Sequence, residues 1–317
     1  MKLFSSISEA AEVLRKGGIV AFPTETVYGL GATVLCKEAI ERIYKVKKRP
    51  SDNPLIIHVE NKEVLLRWIE IEKAWEQDLL KLIEAFCPGP LTFVVKSNPI
   101  EPSCYGAALP KIAIRIPGSP LARKLIESVG SALVAPSANL SGRPSATKSV
   151  HVIEDFGDSI EGVLEGGDTA LGMESTVIEL VEPCHRILRL GSIPIEDVEA
   201  VLGKKVEYSL SPKVVLSPGM KYKHYQPSKP LYWFSTRFLL EQHIRENRST
   251  FTLISHPEQM PAEYASLLLQ QETFYACLRK AEGENIDYIY VLFDPKIHPH
   301  PTLEDRLQKA STHIFLT

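Results

Sequence analysis

The sequence has no long apolar run and little excess charge, and both absences exclude classes of protein. No apolar stretch reaches about 18 residues, and no basic segment followed by an apolar one begins the 317-residue chain. We therefore expect neither a membrane span nor a secretory signal. The formal net charge is only −3, which argues against a general nucleic-acid coat protein because such binding needs an excess of Lys and Arg.

Metal-binding and nucleophile motifs are missing as well. The five cysteines are scattered without a Cys-x-x-Cys pair, and the nine histidines lack zinc-ligand spacing. The close pair His298 and His300 lies in a Pro-rich stretch typical of a solvated turn. We therefore expect reduced thiols, a cytoplasmic location and no protein-held metal site. No Gly-x-Ser-x-Gly elbow and no Gly-rich phosphate loop occurs, which argues against a serine hydrolase and against dinucleotide or P-loop folds.

Length and composition predict two globular domains. Apolar residues make up 44% of the chain and charged residues 24%, values typical of chains that bury a core. Residues 1–205 mix strands and helices without regular alternation, which favours an α+β domain on a mixed, twisted sheet. Residues 206–230 are rich in Ser, Pro, Lys and Tyr, which is typical of a linker. Because this linker is too basic and aromatic for a passive tether, we predict that it closes over the site as a lid. The pattern of strands and helices in residues 231–317 predicts a small α/β domain.

Apolar periodicity predicts the individual elements. Trp68 and Trp75 are expected in the core. The predicted helices cover 8–16, 37–46, 61–69, 72–86, 119–128, 194–202, 236–246, 261–270 and 302–310. The predicted strands cover 19–22, 55–59, 91–96, 112–116, 132–135, 175–180, 186–190, 231–234, 251–254 and 287–293.

Two polar loops carry the chemistry that the sequence offers. One contains Lys47-Lys48-Arg49 and the other Ser137-Ala138-Asn139, and each lies beside an apolar run. Small hydroxyl and amide groups with fixed cations can bind phosphate or carboxylate without covalent catalysis. The alternatives are a solvated charge run in the first loop and ordinary turn and cap residues in the second.

These residues resemble the signature pair of the YrdC/Sua5 family. Three further segments fit the same pattern in the same order: 23–31 (PTETVYGLG), 174–177 (ESTV) and 217–227 (SPGMKYKHYQP). The resemblance extends from about Gly17 to Pro227. It implies a YrdC-like twisted mixed sheet with helices, followed by a small Rossmann-like C-terminal domain.

The resemblance also implies a reaction. Family members are nucleotidyltransferases that join L-threonine, bicarbonate or CO2, and ATP with Mg2+ to give threonylcarbamoyl-AMP and pyrophosphate. The product serves the N6-threonylcarbamoyl modification of adenosine 37 in tRNAs that read codons starting with A, through partner proteins that accept it. Once the carbamate has formed, little proton transfer is needed, so the site must mainly position anions and neutralise charge. That requirement suits motifs with Lys, Arg, Ser and Asn and no paired carboxylates.

The family pattern assigns roles to residues of this chain. Lys47, Arg49, Ser137 and Asn139 are expected to be catalytic. Expected ATP contacts are Arg49, Asn53, Lys111, Ser137, Ser145, Arg189 and Tyr225. Expected threonine contacts are Thr26, His58, Arg115, Ala135 through its backbone, and Ser175.

Arg115 is the most specific of these expectations. It ends the apolar strand 112–114 and has no evident acidic partner in the local sequence. Burial of an unpaired charge at that position would cost free energy, and a bidentate ion pair with the threonine carboxylate would compensate the charge. An internal salt bridge is the alternative. For His58, which also follows an apolar strand, the alternative is a hydrogen-bonded core histidine.

Two other functions remain open on sequence grounds. A double-stranded RNA or tRNA-binding module could use the Lys45–Arg49 cluster and Arg143 on backbone phosphates, and its binding would depend steeply on salt. Weak RNA binding is also compatible with the enzyme. An adenylyl transferase that uses carbamoyl phosphate is disfavoured, because the cysteine-rich zinc fingers and acylphosphatase-like segment of such relatives are missing.

Overall fold

A computed structural model of the chain describes residues 1–98, 111–208, 225–261 and 263–316. Its contacts divide the chain into two compact units, Met1–Ser141 with Ala146–Lys221, and Gly142–Ser145 with Tyr222–Thr317. The division near residue 221 falls inside the predicted linker. Most of that linker lies outside the described residues, so its limits and its lid role stay predictions. None of the described helices combines the length and the apolar character that a membrane crossing demands.

The first unit is built on one mixed sheet. Its 11 strands in the described residues follow the order β1-β8-β2-β3-β7-β4-β6-β5-β9-β10-β11. The strands are β1 (Lys2–Phe4), β2 (Val20–Pro23), β3 (Tyr28–Thr33), β4 (Ile56–His58), β5 (Leu91–Val95), β6 (Ile112–Arg115), β7 (Leu133–Val134), β8 (Gly162–Leu164), β9 (Thr176–Glu179), β10 (Arg186–Arg189) and β11 (Glu207–Tyr208). The last of these shows that the sheet extends into the start of the predicted linker.

Helices pack on the sheet, and two of the apolar clusters meet at strand β2. Alternation along β2 sends Val20 and Phe22 into one cluster and Ala21 into the other, as the period of two in a strand requires. Trp68 and Trp75 are buried, as predicted. The helices are α1 (Ile7–Arg15), α2 (Lys37–Lys47), α3 (Lys62–Trp68), α4 (Glu76–Phe86), α5 (Pro120–Val129), α6 (Ser149–Phe156) and α7 (Ile195–Leu202).

The second unit has a five-stranded sheet in which every pair of neighbours is parallel, in the order β14-β13-β15-β12-β16. Its strands carry aromatic residues such as Phe234 and Tyr290 into a core of their own. Its elements are β12 (Leu231–Phe234), α8 (Arg237–Glu246), β13 (Phe251–Ser255), β14 (Ser266–Leu268), α9 (Phe274–Glu282), β15 (Tyr288–Leu292), α10 (Pro301–Ala310) and β16 (His313–Phe315).

A short segment from the middle of the chain belongs to this second unit. Arg279 on α9 donates two hydrogen bonds to the Pro144 carbonyl, at 2.7 and 3.2 Å. Arg143 forms an ion pair of 2.9 Å with Glu282. Gly142–Ser145 is therefore tied to α9, an assignment that no local pattern indicated.

The predicted fold class is confirmed, and one predicted element is wrong. Residues 261–270 are rich in Ala and Leu and read as a helix, but Ser266–Leu268 forms β14 and pairs with β13. The buried Leu269 donates its N–H to the Ser255 carbonyl at 2.8 Å. Pairing at the sheet edge outweighs the weak local preference for helix.

Candidate active site

Neighbouring strands of the large sheet gather the predicted threonine residues at one edge. His58 and Arg115 are directly opposite each other at the ends of the parallel strands β4 and β6. Strand β5 runs antiparallel to β6 and parallel to β9, so Ser175, just before β9, comes to the same edge. Ala135 donates its N–H to the Ile56 carbonyl on β4 at 3.0 Å. Residues separated by more than 100 positions in the sequence thus become neighbours through strand pairing.

Arg115 is buried and held by three protein groups. Its Nε donates to the Gly89 carbonyl at 3.1 Å and its Nη1 to Thr26 Oγ1 at 3.1 Å, and its Nη2 pairs with Glu25. The internal salt bridge that the sequence left as the alternative is therefore present, with Glu25 arriving from 90 positions away rather than from the local sequence. A guanidinium has five N–H donors, so one remains on each terminal nitrogen, as a bidentate carboxylate requires.

Glu25 is a site residue that the sequence reasoning did not single out. Burial alone would raise its pKa, but the Arg115 charge and backbone hydrogen bonds hold the pKa of Glu25 below its ordinary value. Its second oxygen accepts the Ser119 N–H at 3.3 Å, at the start of α5. The sequence does contain a pattern that could have indicated this residue, because its carboxylate lies between Thr24 and Thr26 in a loop flanked by apolar strands.

His58 is a neutral, buried imidazole. Burial, and then the positive charge of Arg115, lower the pKa of His58 to about 3. Its Nδ1 lies 3.0 Å from the Ile56 carbonyl, so that nitrogen carries the proton and donates. The Nε2 atom of this tautomer keeps its lone pair as a hydrogen-bond acceptor.

Ser175 and Arg189 form a second buried group at the same edge. Arg189 donates to the Ser175 carbonyl at 2.8 and 3.1 Å and to its hydroxyl at 3.0 Å. Thr92 on β5 lies 2.8 Å from the same hydroxyl. The structure thus joins a predicted threonine contact to a predicted nucleotide contact, and it adds Thr92, which was not predicted.

Lys47 ties the two sequence motifs together. It ends α2, is 1% exposed, and donates its ammonium to the carbonyls of Ser137, at 2.5 Å, and Asn139. A solvated charge run therefore does not describe Lys47, although its neighbours Lys45 and Lys48 are exposed. Neutral carbonyls hold the ammonium without cancelling its charge.

Arg49 follows a left-handed residue at the end of α2. Lys48 has φ +52°, which turns the chain away from the helix axis. Arg49 then donates to the carbonyls of Asn53, at 3.1 Å, and Pro54, at 2.9 Å. The side-chain oxygen of Asn53 is buried and has no hydrogen-bond partner among the described residues. A buried acceptor of this kind is costly unless a donor or cation reaches it, so it marks a place for a ligand.

Three other predicted ATP residues are not part of these groups. Lys111 forms an ion pair of 2.5 Å with the buried Glu179. Ser145 and Tyr225 belong to the second unit, where Tyr225 stacks on Tyr275 with 5.4 Å between ring centroids. Their predicted roles toward ATP stay predictions.

Comparison with known proteins connects this architecture to a family. A family model described as "Telomere recombination", for Sua5, YciO and YrdC, matches residues 12–191. A second, described as "Threonylcarbamoyl-AMP synthase, C-terminal domain", matches residues 193–312.

Individual relatives agree with the family models. The threonylcarbamoyl-AMP synthase of Bacillus subtilis is 37% identical over 324 residues, covering 96% of this chain and 92% of the relative. The one of Pyrococcus abyssi is 46% identical over 226 residues, covering 69% of this chain and 65% of the relative. The crystal structure of P. abyssi Sua5 complexed with L-threonine superimposes with a TM-score of 0.88 and 34% identity, over 98% of this chain and 96% of that one.

The two family models together cover most of the chain, and the superposition with Sua5 extends over both of its units. The chain therefore belongs to the YrdC/Sua5 family in its two-domain form, and it is an enzyme of the nucleotidyltransferase class.

Proposed function

We propose that this enzyme makes threonylcarbamoyl-AMP and pyrophosphate from L-threonine, bicarbonate or CO2, and MgATP. The observation that carries the proposal is the buried Arg115, which keeps two N–H donors available beside Thr26, Glu25 and His58. A small amino acid offers a carboxylate for that guanidinium, and the solved relative with L-threonine bound has the same fold. The Pyrococcus and Bacillus relatives are named for the same product.

Threonine binding follows from the charges at Arg115. The substrate carboxylate accepts the two remaining N–H groups, while Glu25 keeps its own bond to Nη2. The threonine ammonium is then attracted by the ionised Glu25, which offsets the repulsion between two carboxylates around one cation. His58 stays neutral at pH 7 because its pKa is about 3, so it adds no second positive charge next to Arg115. Its Nε2 accepts a hydrogen bond from the substrate hydroxyl or ammonium.

The nucleotide end uses the Lys47 and Arg49 group. Carbamate formation consumes the threonine ammonium and bicarbonate and releases water and a proton. A carbamate oxygen then attacks the α-phosphorus, the bond to the β-phosphate oxygen breaks, and pyrophosphate leaves. Lys47 and Arg49 neutralise the charge that develops on these oxygens, with Ser137 and Asn139 as further donors. MgATP enters as the substrate, its metal held mainly by phosphate and water.

We further propose that the product serves the N6-threonylcarbamoyl modification of adenosine 37 in tRNAs that read codons starting with A. A mixed carbamic–phosphoric anhydride is labile, so it suits direct transfer to a partner protein rather than storage. The RNA-binding alternative is less well supported, because Lys47, the centre of the basic cluster, is 1% exposed and donates to main-chain carbonyls.

Omission of single substrates tests the proposal. Pyrophosphate release from ATP is measured with threonine and bicarbonate each added and left out, and AMP-linked product is followed by chromatography. We expect product only when all three substrates are present. Equal turnover without an amino acid, or with carbamoyl phosphate in place of threonine, would overturn it.

A further inference from the structure

The second unit brings two histidines and a glutamate together outside the site described above. Among the described residues, His256, Glu258 and His298 form a group whose potential ligand atoms all lie within 4.8 Å of one another. The two imidazole rings stack with their centroids 3.8 Å apart and an angle of 21° between them. His298 Nδ1 lies 3.4 Å from a carboxylate oxygen of Glu258. The sequence suggested a solvated turn for residues 298–300, whereas the tertiary structure places His298 against His256.

The position of this group in the fold suits a ligand site. His256 directly follows β13 and His298 lies in the loop after β15, and these strands are parallel neighbours whose last residues, Ser255 and Leu292, are in register. Both histidines are therefore at the carboxyl edge of an open parallel sheet. Ligands of open α/β sheets bind outside this edge.

Backbone hydrogen bonds hold the two loops together. The N–H of His256 donates to the Leu292 carbonyl at 3.1 Å, and the N–H of Asp294 donates to the side chain of Gln259 at 2.9 Å. The other end of the Gln259 amide donates to the Ser235 carbonyl at 3.4 Å, at the end of β12. The loops that carry the three side chains are thus fixed to three strands. Less conformational entropy is therefore lost when the side chains become ordered around an ion.

The chemistry of the three side chains selects among metal ions. We propose that His256, Glu258 and His298 bind a divalent transition metal of the zinc type, with a fourth position open to water or a small ligand. Two imidazoles and one carboxylate suit Zn2+, whereas Mg2+ prefers an all-oxygen shell. This site would be separate from the magnesium that accompanies ATP.

To close on an ion, the two stacked rings must move apart and turn so that their nitrogen lone pairs converge, and the Glu258 carboxylate must adjust its position. Bonds of about 2.0–2.1 Å in a tetrahedron place ligand atoms about 3.4 Å apart. The carboxylate of Glu258 can make that adjustment with little loss of packing, because its side chain is 74% exposed. The N–H of Glu258 donates to His256 Nδ1 over a long distance of 3.4 Å. This hydrogen bond is weak, so little free energy is lost when a metal ion replaces it.

Metal titration of the full chain tests the inference. The purified protein is stripped with EDTA, dialysed, and titrated with Zn2+ against a chromophoric chelator, and Co2+ is used to record visible absorption bands. We expect one equivalent per chain, no competition by Mg2+, and Co2+ bands from a site of low coordination number. His256→Ala and His298→Ala should each weaken zinc binding about 100-fold, since loss of a ligand costs at least as much as loss of its support.

Two further variants make the result decisive. His313→Ala removes an exposed histidine of the same unit and should leave zinc affinity unchanged. Glu258→Gln changes an exposed side chain without risk to folding, and it should weaken binding and alter the Co2+ spectrum. The inference is overturned if the wild-type chain binds no stoichiometric zinc. It is equally overturned if zinc affinity stays the same in folded His256→Ala and His298→Ala, because the ion would then be bound elsewhere.

Discussion

The two units give different partners to four of their cations, Lys47 and Arg189 in the first unit and Arg143 and Arg306 in the second. In the first unit, Lys47 and Arg189 donate to neutral carbonyl and hydroxyl oxygens. In the second unit, Arg306 pairs with Asp305 and Arg143 pairs with Glu282, so each charge is compensated by a carboxylate. Neutral partners position a cation, whereas ionised partners also cancel it.

This difference separates a binding site from a structural network. Anion-binding sites need uncompensated positive charge in a low-dielectric setting. Arg115 lies between the two cases, because it has one ionised partner, Glu25, and two neutral ones. The following predictions test the comparison, beginning with Arg115.

The largest effect is expected from Arg115→Ala. Loss of the guanidinium leaves the substrate carboxylate, and Glu25 as well, buried without a positively charged partner. Threonine binding should weaken by about 2–5 kcal/mol, roughly 30- to several-thousand-fold. Arg115→Lys should recover only part of this, because an ammonium cannot form the bidentate pair. Calorimetric titration with threonine and with ATP separately provides the measurement, and ATP affinity should change little.

A second variant controls for a folding defect in Arg115→Ala. Arg115→Ala combined with Glu25→Gln removes the stranded carboxylate and should restore stability but not threonine binding. If threonine affinity were unchanged in either folded variant, Arg115 would be a structural residue paired with Glu25, like Arg143 with Glu282 in the second unit.

Lys47→Met should produce the next largest effect. The substitution keeps most of the side-chain volume but removes the charge, so ATP affinity should fall by about 1.5–3 kcal/mol, roughly 10- to 150-fold. It also leaves the Ser137 and Asn139 carbonyls without their donor, which should lower thermal stability. Lys45→Met, two residues earlier on the same helix and exposed, is the matched control. Equal ATP affinities for the two variants would contradict a nucleotide role for Lys47.

Replacement of threonine by serine tests the shape of the site rather than its charge. A pocket that packs the extra methyl group discriminates by about 1–3 kcal/mol, or roughly 10- to 200-fold in kcat/KM. Pyrophosphate release at matched concentrations measures this ratio. Equal rates would show that charge alone, through Arg115 and Glu25, selects the substrate.

The last prediction concerns pH and His58. The pKa is about 3 in the folded chain against an ordinary value of 6.5, so the unfolded chain takes up a proton first as pH falls. Stability from the neutral ring is complete above pH 6.5 and is lost between pH 6.5 and 3, at up to about 1.4 kcal/mol per pH unit.

Urea unfolding between pH 7 and 5 checks this dependence. His58→Gln should show a shallower fall in the free energy of unfolding, while His313→Gln, an exposed control, should follow the wild type. Burial also lowers the pKa of His243, His256 and His300, so the difference between wild type and His58→Gln is the quantity that matters. Identical slopes for those two proteins would contradict a buried neutral His58.

The sequence alone determined part of the local structure and the order of the motifs. Periodicity predicted helix 37–46 and strand 231–234 to within one residue of the observed elements, because one apolar face per helix and short apolar strands are local patterns. The motifs around Lys47 and Ser137 pointed to an anion site, because cations and small hydroxyl groups beside apolar strands need a partner.

Only the tertiary structure decided which groups meet. Glu25 reaches Arg115 across 90 positions, Gly142–Ser145 joins the second unit, and His298 packs on His256. Residues 266–268 became a strand despite a helical composition, since the edge of a parallel sheet offered backbone partners. Each outcome depends on strand pairing between distant segments. A single sequence does not specify that pairing, because hydrogen bonds between strands are the same for any side chains and the register is set by packing across the whole sheet.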